Sequence, residues 1–118
     1  MPYVDSAIDH RRLGESIGTG ECVALVEAWA GAPRAGSWTP GLKVLDNSTQ
    51  IARGTAIATF VEGHYPTTDR HAAIFLHGTA DGFRVIDQWH GQGSHERTIH
   101  FGSHSRQNDP NAYYVIEP

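Results

Sequence analysis

Gly18-Thr19-Gly20-Glu21-Cys22-Val23-Ala24-Leu25-Val26 holds the only cysteine of the chain and runs from a glycine-bearing turn into an apolar segment of helical period. Leu25, Val26 and Trp29 follow Cys22 at the i+3, i+4 and i+7 spacing of one buried helix face. A helix over Cys22–Ala30 is therefore expected, with Thr19 or Gly20 as its N-cap and Glu21 in its first turn. A cysteine in that first turn sits among N–H groups without intrahelical acceptors, at the positive end of the helix dipole. Both favour a thiolate, and a first-turn amide can donate to an oxygen that gains charge during acyl transfer. Free cysteine is more often a small buried hydrophobe, so the nucleophile reading depends on a base elsewhere in the chain.

That base is sought among the strands. His71-Ala-Ala-Ile-Phe-Leu76 and Phe83-Arg-Val-Ile-Asp-Gln-Trp89 have strand composition and are joined by the turn-rich His77-Gly-Thr-Ala-Asp-Gly82, which predicts a hairpin. Pairing Phe75 with Phe83 sets Ala73 opposite Val85 and His71 opposite Asp87. Facing Cβ atoms lie about 4.5–5.5 Å apart, near enough for Asp87 to hold the imidazole in one tautomer. The polar end of this same face is expected to receive Cys22. A slip of one residue would set Gln88 across from His71, which makes Gln88 the fallback orienting group.

The rest of the chain reads as an α+β domain over residues 1–118, with a helix against one face of an antiparallel sheet. Val4 to Leu13 is expected to form a short helix or arm. Gly31 to Gly41, with three glycines and two prolines, reads as an irregular loop, and Leu42 to Ile51 as a short helix or turn. Thr55–Phe60, Thr98–Phe101 and Ala112–Ile116 are further expected strands, with a Gly- and His-rich loop ahead of Thr98. Trp38, Tyr65 and Trp89 are candidate walls of a groove, although each aromatic can equally be packing.

Composition narrows the partners. A formal charge of −4 and a pI near 6.0 give no basic field for nucleic acid or an acidic membrane. No basic-then-apolar leader opens the sequence and no segment has the length of a membrane span, so synthesis in the cytoplasm without a signal peptide is expected. One cysteine cannot make an intrachain disulfide. His90, His95, His100 and His104 cluster after Asp87, but no CxxC or HExxH pattern accompanies them, so neither metal nor other cofactor is expected.

Taken together, these residues resemble the papain-like amidase superfamily, in particular the compact CHAP and NlpC-type bacterial cell-wall hydrolases. The likeness rests on Gly20-Glu-Cys22-Val-Ala-Leu-Val at a helix start, Arg53-Gly54-Thr-Ala-Ile-Ala-Thr-Phe60 as a glycine-led first strand, and the His71 strand with Asp87-Gln-Trp89 some sixteen residues on. The chain also resembles small signal-less bacterial proteins related to the amidase effectors exported by type VI secretion. The resemblance implies Cys22 as nucleophile, His71 as base and then acid, and Asp87 as orienting group. It further implies a stem peptide or cross-link of peptidoglycan as substrate, export to a target periplasm, and a cognate inhibitor protein. Two features depart from the pattern: Arg70 stands where a glycine often precedes the histidine, and no glutamine upstream of Cys22 offers an oxyanion side chain. Proteolysis, deamidation or acyl transfer on a protein substrate, or a non-catalytic binding module, remain the rival readings.

Overall fold

A computed structural model describes residues 1–118, and its one α-helix, α1, spans Cys22–Ala30. Nine residues are too few for a helix to be stable alone, so packing must hold it. Leu25 and Val26 are fully buried, and Gly31 ends the helix in the left-handed conformation (φ 75°), its N–H returning to Glu27 O and Val26 O. Glu21 takes the N-cap position without a side-chain cap, one residue beyond Gly20 and two beyond Thr19, and Cys22 is the first helical residue.

Six strands follow: β1 (Thr39–Lys43), β2 (Ala56–Thr59), β3 (Ala72–Thr79), β4 (Gly82–Trp89), β5 (Gln92–His100) and β6 (Tyr113–Glu117). They form one antiparallel sheet in the order β1-β6-β2-β3-β4-β5. This is the expected α+β architecture, with the helix on one face. Helix α1 packs chiefly over β3 and β4, and Leu25 and Val26 share a core with Ala56, Ala58, Ala72, Ile74, Leu76, Ile86 and Ile116 on this face of the sheet.

The other face is buried as well. Val44, Ile57, Ala73, Phe75, Phe83, Val85, Ile99, Tyr113 and Val115 form a second core. The rings of Phe83 on β4 and Tyr113 on β6 are 5.6 Å apart although β3 and β2 lie between their strands. Three strand spacings would separate them by about 14 Å in a flat sheet, so the sheet curls around this core.

Several expectations change. The 31–41 loop and the 42–51 turn share a strand, β1, because Pro40 and Gly41 fall at an irregularity of an edge strand, where a missing N–H donor is tolerated. Strand β5 begins at Gln92, earlier than Thr98, and absorbs the Gly- and His-rich stretch. The N-terminal arm holds only a 3₁₀ turn over Ile8–His10, pinned where Arg11 donates to both carboxylate oxygens of Asp5 at 3.0 Å. In the β3–β4 hairpin the strands run on to Thr79 and Gly82, leaving a two-residue turn, and Phe75 pairs with Val85 in place of Phe83. The offset is two residues, so the side-chain alternation survives. The helix, however, covers the Ala72–Ile74 face and not the Ala73–Phe75 face on which Cys22 was expected to land.

Candidate active site

His71 stands one residue before β3, and its backbone is fastened at both ends to Thr59. Its N–H donates to Thr59 Oγ1 at 3.0 Å and its carbonyl accepts from Thr59 N at 3.0 Å. At the mouth of the strand the imidazole lies between the two layers. It meets Cys22 on the helix side and Asp87 on the other, Nε2 to Asp87 Oδ2 at 2.7 Å. With Nε2 turned to the carboxylate, Nδ1 is the ring nitrogen left for the thiol.

Asp87 is fully buried, and its Oδ2 accepts from both His71 and Arg97 Nε, each at 2.7 Å. Arg97 is itself tied to Asn108 Oδ1 at 2.8 Å and lies over the Trp89 ring at 5.3 Å. Sequence reasoning missed Arg97. A trace of it exists in the period-two placement of His95 and Arg97 on β5, which puts both on the Asp87 side of β4 once Asp87 pairs with His95.

The electrostatics follow from this packing. Burial alone would raise the Cys22 thiol, but the imidazole of His71, aided by the Ala72 N–H and the Tyr65 hydroxyl, outweighs it and holds the thiol below its ordinary value. Burial likewise opposes a charged His71, yet hydrogen bonding and attraction to Asp87, joined by Cys22, raise it to about 9. Asp87 resists the upward push of burial through His71 and Arg97 and stays below the usual carboxylate range. These shifts favour a thiolate beside an imidazolium over the neutral pair, with the Asp87 carboxylate and the Arg97 guanidinium behind it.

Cys22 and His71 open into a cleft of about 420 Å³ whose walls include Tyr65, Arg70, Trp89 and His90. Tyr65 places its hydroxyl 4.0 Å from Cys22 Sγ, and Trp89 is 42% exposed at the rim. Trp38 is not a wall. It is buried, donates from Nε1 to Pro33 O at 2.8 Å, and backs Tyr65 edge-on at 4.8 Å. Gln88, the fallback partner for His71, points to the helix layer and bonds Ile17 and Glu21 instead. Of the four clustered histidines, His95 bonds the Asp87 carbonyl at 3.1 Å and His100 its neighbour Phe101 at 2.8 Å. Nowhere do three His, Cys, Asp or Glu side chains converge as a metal-binding set.

A cysteine opening a helix, packed on an antiparallel sheet with a histidine one residue ahead of a central strand, is the arrangement of the α+β papain-like class. The chain matches the family described as Domesticated amidase effector 2 over residues 5–116. It is 32% identical to a type VI secretion amidase effector 2 protein from Salmonella typhi, covering 99% of this chain and all of that one. It is 38% identical to domesticated amidase effector 2 from Ixodes scapularis over 82% of this chain and 70% of that one. A solved type 6 secretion amidase effector 2 superposes with a TM-score of 0.87 at 30% identity, covering 99% of this chain and 95% of that one. The chain belongs to the amidase effector 2 family. No helix is long and apolar enough to cross a membrane.

Proposed function

We propose that the protein is a cysteine-dependent amidase that cuts an amide bond in the peptide part of bacterial peptidoglycan, and that it acts as an antibacterial effector. The observation that carries the chemistry is the chain of contacts from Cys22 through His71 to Asp87, which lowers the thiol and raises the imidazole. Family membership supports the substrate class and a cognate inhibitor protein that occludes the cleft.

In this mechanism the Cys22 thiolate attacks the amide carbonyl carbon, forming an S–C bond while the C=O π pair moves onto oxygen. Collapse of the tetrahedral intermediate breaks the C–N bond, and the proton on His71 Nδ1 passes to the leaving amine. His71, now neutral, takes a proton from water, whose oxygen attacks the thioester. The acid is released and Cys22 returns as thiolate. Asp87 holds Nε2–H throughout, which keeps Nδ1 toward sulfur. Tyr65 and Trp89 flank the peptide, and the free guanidinium of Arg70 over the Tyr65 ring at 5.3 Å favours a substrate bearing carboxylates.

The test is digestion of purified Gram-negative sacculi by the wild type and by Cys22→Ala, with the released muropeptides identified by mass spectrometry. A new fragment made only by the wild type is expected and fixes the bond. Folded wild-type protein that releases nothing overturns the substrate, and equal release by both proteins overturns the role of Cys22.

A further inference from the structure

Gln88 is fully buried on the helix side of β4, and every hydrogen-bonding group of its carboxamide is engaged. Oε1 accepts from Ile17 N at 2.8 Å, and Nε2 donates to Ile17 O and Glu21 O, each at 2.8 Å. The sheet thus grips the turn that leads into α1. The grip ends on the carbonyl of one particular peptide, Glu21–Cys22, which also accepts from Ala24 N at 3.1 Å.

In a planar trans peptide the carbonyl and the N–H point in opposite directions. Holding Glu21 O inward therefore turns the Cys22 N–H outward, and no group of the protein accepts from that N–H. Glu21 and Cys22 both line the cleft. A rotated peptide would present a carbonyl where a donor is needed and leave the buried Gln88 donors with one acceptor fewer, which is costly in an interior.

We propose that Gln88 is a positioning residue that locks the Glu21–Cys22 peptide so that the Cys22 N–H serves as an oxyanion donor. The inference rests on the cysteine-amidase reading above. As sulfur bonds to the carbonyl carbon and the π pair moves to oxygen, the new oxyanion accepts from this N–H. When the C–N bond breaks, the pair returns to form the thioester carbonyl and the His71 proton leaves with the amine. Gln88 touches none of these atoms. It takes the place of the upstream oxyanion side chain that the sequence lacks only in the sense of securing the backbone donor.

Gln88→Met, near in shape but without hydrogen bonds, and Gln88→Glu, which keeps an acceptor for Ile17 N but lacks the amide donors, separate this role from plain support. Turnover on sacculi should fall about 10- to 100-fold at unchanged KM, short of the ~10²–10³ for outright loss of an oxyanion donor. Alkylation of Cys22 by iodoacetamide passes through no oxyanion, so its rate and pH profile should stay within about twofold. Unchanged turnover, or turnover and alkylation falling together, overturns the inference. A wild type inert on sacculi overturns the amidase reading instead. Should neither variant fold, a stem-peptide aldehyde added to the wild type should move the Cys22 amide proton downfield in the NMR spectrum, and an unmoved amide overturns the proposal.

Discussion

Replacing Asp87 with asparagine keeps the shape of the side chain but removes the charge that offsets two cations. His71 Nε2 and Arg97 Nε both end on Oδ2 at 2.7 Å, so in Asp87→Asn the guanidinium remains beside an imidazole that has lost its anion. Burial opposes a charged His71, and with Asp87 gone little but Cys22 counters it. The pKa of about 9 should fall at least to the ordinary 6.5, a change worth about 3 kcal/mol in favour of the neutral ring. At pH 7.5 that shift alone lowers the imidazolium fraction about tenfold, from nearly complete occupancy. The loss of the fixed tautomer adds to it. The assay is the pH dependence of kcat/KM on sacculi together with that of iodoacetamide alkylation. The wild type should lose activity as pH rises through about 9, where His71 gives up the proton the leaving amine needs. In Asp87→Asn this basic limb should move below about 7. A basic limb that stays near 9 in the variant would refute the assignment of the His71 charge to Asp87.

Other outcomes follow from the packing. Trp38→Ala should cost about 3–5 kcal/mol in urea unfolding, as a buried aromatic does, whereas the half-exposed Trp89→Ala should cost less than about 1.5 kcal/mol and mainly weaken turnover; the reverse order would restore Trp38 to the groove. In the Cys22→Ala protein, His71 retains Asp87, so its folded pKa stays above 6.5. The resulting stability is full below 6.5 and is lost as pH rises through the folded pKa, which should now lie below about 9 without the share from Cys22. Denaturation midpoints from pH 6 to 9.5 check this, and a flat series contradicts it. Gly93→Ala would set a Cβ 2.2 Å from Gly14 O, backbone against backbone, where Gly14 N reaches Ser94 O at 2.7 Å. A loss of about 1–3 kcal/mol is expected together with reduced turnover, because the displaced loop leads to Cys22; unaltered unfolding would show that the loop yields freely.

Much of the site could be read from the sequence because it rests on periodicity. The 3.6-residue spacing of Leu25, Val26 and Trp29 marked the helix from Cys22 to Ala30, and period-two alternation set His71 and Asp87 on one side of a hairpin. An error of two residues in register left that alternation intact, so the pair meets on the diagonal and not directly across. What alternation could not reveal was which side the helix covers, since both faces of β3 are apolar and buried. Strand β5 was hard to see for the opposite reason. It is a sheet edge carrying His95, Glu96 and Arg97, and its burial is too intermittent to leave an apolar pattern. Arg97 and Gln88 were invisible as partners because their roles depend on contacts across 10 and 71 residues that no local spacing encodes.

The fastening of His71 to Thr59 separates two demands that groove-forming enzymes often have to meet with one stretch of chain. Residues 61–70, which bring Tyr65 and Arg70 to the cleft, leave Phe60 and return at His71, and the ladder to Thr59 closes that excursion at its base. Changes in the length or composition of the excursion should therefore leave the backbone that carries the imidazole in place. On the proposed mechanism, remodelling this one surface segment should alter substrate preference while the proton-transfer geometry stays with the sheet.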